Sequence, residues 1–156
     1  MIVRYKPGCM PPRCRVLVSW VYDGDTFRGM GIPGKHIIRI WGMDAPEKGQ
    51  PSWRASGAAL WKMIGRRSVD VRPVTFDRYG RVVARVFTPG VGDVGLAMVR
   101  GGWAWWYRAY ARDSLEYSSA ETEAREAQRG IWKEGAKRWA PWAFRARYAR
   151  MGAPRI

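Results

Sequence analysis

Val21 to Glu47 reads VYDGDTFRGMGIPGKHIIRIWGMDAPE, two short hydrophobic runs joined by a Gly-Pro-Gly turn, with acids at their outer ends. Asp23, Asp25, Asp44 and Glu47 are the only acids before Asp70, although positions 1–69 carry about a dozen Lys and Arg. A solvated surface intersperses both signs. Carboxylates gathered at strand ends in a basic chain point to a cation site that faces an anionic ligand.

The pattern of strands and helices follows outward from this stretch. Arg13 to Tyr22 (RCRVLVSWVY) is rich in β-branched and aromatic residues and reads as a strand. Asp23-Gly24 turns the chain into a second strand, Thr26 to Met30, and Gly31, Pro33 and Gly34 turn it into a third, His36 to Trp41. From Gln50 to Arg67 the period changes. Trp53, Ser56/Gly57, Leu60/Trp61 and Ile64 recur at helical spacing after Pro51. Strands resume at Ser68 to Phe76 and Val82 to Thr88 around the turn Asp77-Arg78-Tyr79-Gly80, and Pro73 marks the first of them as edge or bulged. A second helix is expected from an Asp93 N-cap to Arg100, ended by Gly101-Gly102. A third is expected to open with Asp113 and Glu116 as a capping box, to turn Tyr117, Ala120, Ala124 and Ala127 inward, and to stop at Gly130. Three strands, a helix, two strands and two helices make an α+β chain: a five-stranded Greek-key barrel of the OB type with three helices. Residues 13–134 would form this domain, with an irregular segment at 1–12 and a basic, aromatic extension at 135–156. In that extension Pro141 is expected to open a short helix that packs Trp142, Phe144, Tyr148 and Met151 partly inward.

The chain has 156 residues, enough for one domain with a real core, and a formal charge of +15. That balance favours a polyanionic partner, nucleic acid before membrane, since no apolar run approaches the length of a spanning helix. The opening, broken by Pro7, Gly8, Pro11 and Pro12, has no signal-peptide core. On the sequence as given the chain reads as cytoplasmic, and a trimmed leader would make it secreted or periplasmic. Cys9 and Cys14 do not complete a zinc site with one distant histidine; of a local disulfide and free thiols, free thiols are the preferred reading, since cysteine is common as a small apolar residue. His36, the single histidine, excludes two-histidine chemistry and has no nucleophile elbow beside it. Hydrolysis, if present, rests on carboxylates, arginines and a metal.

A hard cation such as Ca²⁺ takes several oxygen ligands. Asp25, opening one strand, and Asp44, closing another, are candidate ligands, with Asp23 just behind them. Glu47 lies beyond Pro46, where it could reach a water as general base. The bland alternative is that Asp23 and Asp25 merely stabilise a turn. Arg39 argues against it, because an arginine inside HIIRIW needs an anionic partner: one of the four acids, or a phosphate. Arg81 could add a second guanidinium, and two arginines with a divalent cation suit the charge of a pentavalent phosphate.

VYDGDT, IIRIWGMDAPE, DRYGR and YARDSLEYSSAETEAREAQRGIW, in this order and spacing over roughly Arg13 to Glu134, resemble the staphylococcal nuclease family. The resemblance implies a Ca²⁺-dependent endonuclease acting on DNA and RNA, which cuts the 5′ P–O bond and leaves 3′-phosphates. It implies Asp25, Asp44 and the Ala45 carbonyl as metal ligands, with Asp23 outside them. Glu47 matches the family's proposed general base, Arg39 and Arg81 its phosphate-binding arginines. Tyr79, with Arg78 beside it, matches a position near the terminal phosphate, and Tyr110 a tyrosine that packs on a base. Ala45 stands where the family often has threonine. The aromatic run WAWWYRAY, Trp103 to Tyr110, exceeds what one stacking tyrosine needs, and most of its tryptophans are expected in the core. A monomer with no membrane role is the expectation. The rival reading is a non-catalytic nucleic-acid-binding OB module, and a basic membrane-surface protein ranks last.

Overall fold

In the computed structural model residues 13–31, 34–133 and 139–150 are described; the segment 1–12, with Cys9, and Met151 lie outside them. The chain runs β1 (Cys14–Val21), β2 (Thr26–Met30), β3 (Lys35–Ile40), β4 (Met43–Asp44), α1 (Trp53–Ile64), β5 (Ser68–Phe76), β6 (Val82–Thr88), β7 (Gly92–Asp93), α2 (Val94–Arg100), β8 (Trp105–Trp106), α3 (Arg108–Ala111), α4 (Leu115–Glu126), a 3₁₀ turn at Gly130–Trp132, and α5 (Pro141–Arg150).

Alternation sets the barrel wall. Along β1, Val16 and Val18 point inward while Leu17 and Ser19 face out, as the two-residue period of a strand requires. β1 pairs antiparallel with both β2 and β5, β2 with β3, and β5 with β6. A parallel pairing of β3 with β6, Ile38 opposite Val82 and Ile40 opposite Ala84, closes the sheet on itself. The result is the five-stranded OB-type barrel that the sequence predicts. Its interior is filled by Val16, Val18, Phe27, Ile38, Ile40, Val69, Val71 and Val86. Pro73 lies in an internal strand. The β1 ladder ends at the Cys14–Val71 pair, so proline opposes no β1 residue, and the register slips between Pro73 and Thr75. The strand is bulged, not an edge.

Helices close the barrel's ends and side. α1 buries Ser56, Leu60 and Ile64, while Trp61 stays on the outer face. α2 is capped as expected: the Asp93 carboxylate accepts the Leu96 N–H at 3.1 Å. Three expectations about α4 are corrected, its cap, the inward Ala127 and its stop. Asp113 is not its N-cap; the helix opens one residue later, and the Ser114 hydroxyl accepts the Tyr117 N–H at 3.5 Å. That offset carries Tyr117, Ala120 and Ala124 against the barrel, while Ala127 falls at the C-cap and is exposed. Gly130 is not the stop either. Gln128 takes the left-handed turn after the helix (φ 50°), and Gly130 opens the 3₁₀ turn, so close to the Gly102 carbonyl that a Cβ would collide with it. Trp105 from the aromatic run is buried and meets Trp132 edge-on at 5.8 Å. Five further elements escape the sequence reading: the paired two-residue strands β4 and β8, the two-residue β7 that pairs with β6, the single turn α3 and the 3₁₀ turn. None of the described helices is long and apolar enough to cross a membrane.

Tyr117 joins α4 to the barrel. Its ring is fully buried and packs edge-on to Trp41 at 5.6 Å. Its hydroxyl donates to the Trp41 carbonyl at 3.1 Å. Only glycine fits beneath it at position 42, where φ is 81° and a Cβ would lie 2.7 Å from the ring. Urea denaturation is expected to show Tyr117→Phe about 1 kcal/mol less stable for the lost hydrogen bond, and Tyr117→Ala about 3–5 kcal/mol less stable for the cavity as well.

Candidate active site

The turn before β2 is built by Asp23. Its Oδ1 accepts the backbone N–H groups of Asp25 at 3.0 Å and Thr26 at 2.8 Å, a local side-chain-to-backbone turn of the kind aspartate favours. This aims Asp25 inward. Asp25 Oδ1 accepts the Thr26 hydroxyl at 2.8 Å, and Oδ2 accepts the Ala45 N–H at 2.9 Å. Burial and the neighbouring Asp25 push the Asp23 carboxyl up to about 8. Burial also acts on Asp25, but Arg39, the Ala45 amide and the Thr26 hydroxyl together hold its carboxyl below the usual carboxylate range.

Arg39 is placed opposite Thr26 in the β2–β3 ladder. Its Nη1 lies 2.6 Å from Asp25 Oδ2 and its Nη2 donates to Asp44 Oδ1 at 2.8 Å. One buried guanidinium therefore spans the two candidate ligand carboxylates. Of the two partners the sequence allows for Arg39, acid or phosphate, the structure displays the acids. Burial opposes its charge, yet Asp25, Asp44 and Asp23 more than reverse that and raise its pKa above the ordinary arginine value.

Glu47 stands on the loop after β4. Gln50 pins that loop: its side-chain oxygen accepts the Glu47 N–H at 2.7 Å, and its amide donates to the Trp139 carbonyl at 2.7 Å. The loop is thereby tied to the start of α5, from which a group unforeseen in the sequence reading enters. Arg145 donates through Nη2 to Asp44 Oδ2 at 2.7 Å and through Nη1 to Glu47 Oε1. The signal was present in PWAFRARYAR: Arg145 is three residues from both Trp142 and Tyr148, on the face expected to pack inward. Of that set, Phe144 is half-buried, while Trp142 and Tyr148 keep substantial exposure.

On the other side of the cleft, Asp77 shapes the turn into β6. It accepts the N–H groups of Tyr79 at 2.9 Å and Arg81 at 3.0 Å, and holds Arg81 Nε at 2.6 Å. Arg81 Nη1 reaches the Thr26 hydroxyl at 3.2 Å. Tyr79 is largely exposed, with the guanidiniums of Arg78 and Arg81 at 4.9 Å and 5.5 Å from its ring centre. Tyr110 packs edge-on to Tyr107 at 5.2 Å. All ten residues singled out from the sequence, Asp23, Asp25, Arg39, Asp44, Ala45, Glu47, Arg78, Tyr79, Arg81 and Tyr110, line one cleft of about 920 Å³, with Arg145 and Tyr148 across it. Asp77, Thr26, Gln50 and Arg145 are the additions that the structure makes.

Oxygen donors from Asp25 and Asp44 suit a hard cation. In the structure these oxygens face Arg39 and Arg145. Among the described residues, no three His, Cys, Asp or Glu side chains stand together as a coordinating group. The donor chemistry fits a hard cation held by two carboxylates, with the remaining ligands drawn from carbonyl, water or substrate oxygens. Ala45 engages Asp25 through its amide N–H, which leaves the carbonyl role as an expectation.

Comparison with known proteins bears on the whole arrangement. The family model described as staphylococcal nuclease homologue matches residues 37–134. An "uncharacterized endonuclease" of Escherichia coli is 36% identical over 127 residues, covering 81% of this chain and 82% of that protein. Protein ParB of Escherichia coli is 34% identical over 80% of this chain and 75% of its own length. A "probable staphylococcal-like nuclease" of rice is 35% identical over 71% of this chain and 29% of its own, longer sequence. A barrel closed in the predicted order, a match that takes in β3 through the 3₁₀ turn, and bacterial similarity along four-fifths of the chain agree on one assignment: this chain belongs to the staphylococcal nuclease family.

Proposed function

We propose that the protein is an endonuclease that hydrolyses DNA and RNA phosphodiesters with Ca²⁺ as its cofactor. The observation that carries this reading is the convergence of three carboxylates and two arginines, Asp25, Asp44, Glu47, Arg39 and Arg81, on one cleft of a strongly basic chain. Asp25 and Asp44 would hold the cation, with Asp23 behind them fixing the Asp25 turn and the Ala45 carbonyl as a further ligand. When bound, Ca²⁺ supplies a Lewis acid to the phosphate oxygens. Glu47 accepts the proton of the attacking water as its oxygen bonds to phosphorus. The P–O5′ bond breaks, leaving a 3′-phosphate and a 5′ oxygen that takes up a proton. Arg39 and Arg81 stabilise the charge that builds on the phosphate oxygens, Arg81 being oriented for this by Asp77. Tyr79 and Arg78 would flank the terminal phosphate, and Tyr110 would lie against a base. Each of these groups comes from a single chain, which suits a monomer.

A nucleic-acid-binding module without catalysis is the second reading, favoured by the exposed aromatic and basic rim of the cleft. Digestion of plasmid DNA and of RNA separates the two. The expected result is cleavage with Ca²⁺, none with EDTA, and 3′-phosphate ends; a shifted but intact oligonucleotide in millimolar Ca²⁺ would establish the second reading instead. Glu47→Gln is expected to lower kcat by roughly 10²–10⁴-fold while leaving the urea midpoint nearly unchanged. Asp44→Asn is expected to weaken calorimetric Ca²⁺ binding by at least about tenfold, the effect of losing one charged ligand from a small set.

A further inference from the structure

The nuclease reading leaves Arg145 and its helix unexplained. α5 carries three arginines and no acid. Its Phe144, Arg145 and Tyr148 line the same cleft as Tyr79 and Tyr110, and Trp142 packs against Tyr107 with ring centres 6.0 Å apart. Its guanidinium pairs with Asp44, whose side chain is 1% exposed, and with Glu47. These are the carboxylate assigned to the cation and the carboxylate assigned to the water. A guanidinium fork matches carboxylates closely, and charge-assisted pairs of this kind are the strong ones. While it is in place, Asp44 has its second oxygen occupied and Glu47 has a donor where the water's proton should go. The helix also lines the cleft through Phe144, Arg145, Ala146, Tyr148 and Ala149.

We propose that α5 is a self-inhibitory cap, with Arg145 acting as an internal cation on Asp44 and Glu47, and that it is displaced when a divalent cation and a nucleic-acid strand arrive together. The inference rests on the cation reading of the site. Displacement is an exchange of partners. The cation takes the carboxylates, and Arg145, with Arg147 and Arg150, takes strand phosphates, so that no charge is left buried and unpaired. Either ligand alone satisfies half of the exchange. The cap therefore makes cation affinity depend on substrate, and substrate affinity on cation, by the same factor.

The test uses the full chain and two substitutions. Arg145→Ala removes the internal cation. Trp142→Ala loosens the helix where it meets Tyr107 and touches none of the carboxylates. Calorimetric titration with CaCl₂ is expected to show Arg145→Ala binding at least tenfold tighter than the wild type, and Trp142→Ala tighter by a smaller factor. With a phosphorothioate oligonucleotide present, the wild-type affinity is expected to rise towards that of Arg145→Ala. At limiting Ca²⁺, Arg145→Ala is expected to cleave faster than the wild type. Equal, measurable Ca²⁺ affinity in all three proteins would overturn the cap and leave the nuclease reading standing. No Ca²⁺ binding by any of them would overturn both. A tenfold or greater fall in the rate of Arg145→Ala at saturating Ca²⁺ would also overturn the cap, because it would place that arginine in the reaction itself.

Discussion

The arrangement depends on the ion pairs of Arg39. Its side chain is 8% exposed, Asp44 1% and Asp25 10%. Two carboxylates this close in a poorly hydrated space do not both keep their charge without a cation between them. Arg39 supplies one, and in return the acids offset the several kcal/mol that burying a guanidinium costs. Asp23, two residues before Asp25, makes no ion-pair contact with the fork, and burial and the neighbouring Asp25 push its carboxyl up to about 8. The same contacts are mechanical. They bind the turn before β2 to β3 and to β4, so three chain segments are fixed by a single side chain.

Closure of the barrel completes this arrangement. Arg39 is set by the antiparallel β2–β3 ladder, but Arg81 belongs to the β5–β6 turn and has no local reason to approach it. The parallel β3–β6 pairing brings it there. With Ile38 opposite Val82 in parallel register, the residue before Val82 falls beside Ile37 within β3, and Thr26, opposite Arg39, receives the Arg81 guanidinium. Asp77 then removes the rotamer freedom that a long side chain would otherwise have on an exposed turn. The fold acts on the site by joining two half-sites through one parallel ladder.

Strand periodicity and turn residues were enough to read the barrel, because a half-buried wall writes its alternation into the chain. Val16 and Val18 against Leu17 and Ser19 are such a case. Asp23, Asp25, Asp44 and Glu47 could be gathered because acids are so few in this half of the chain that their grouping stands out, whereas Ala45, Arg78, Tyr79 and Tyr110 were reached only through the family resemblance. What the sequence hid has physical reasons. Two-residue strands such as β4 and β8 are too short to show a period. The α4 cap was misplaced by one residue because Asp113 and Ser114 are both good caps, and only the demand that Tyr117 reach Gly42 and Trp41 chooses between them. Gln128 takes a backbone conformation that glycine usually supplies. Arg145 was missed for a different reason. Its helical face was legible from Trp142 and Tyr148, but its partners Asp44 and Glu47 lie far away in sequence and no local pattern points to them.

The charge pattern that opened the reading has a second side. A chain with a formal charge of +15 would be expected to repel a divalent cation, yet its cleft concentrates carboxylates. Arg39 is held by Asp25 and Asp44, and Arg81 by Asp77, so the opposing charges nearest the metal position are already committed. Asp25, Asp44 and Glu47 then exceed Arg39 by two negative charges, and one further positive group offsets part of that excess. In the closed chain Arg145 is that group, and in the proposed reaction Ca²⁺ takes its place. Positive charge elsewhere on the surface draws in the polyanion over distances of about a Debye length, whereas the choice at the site between guanidinium and metal is made at contact. On the proposed exchange, long-range attraction and local choice act on different residues, which would let a strongly basic protein keep a site that selects a cation.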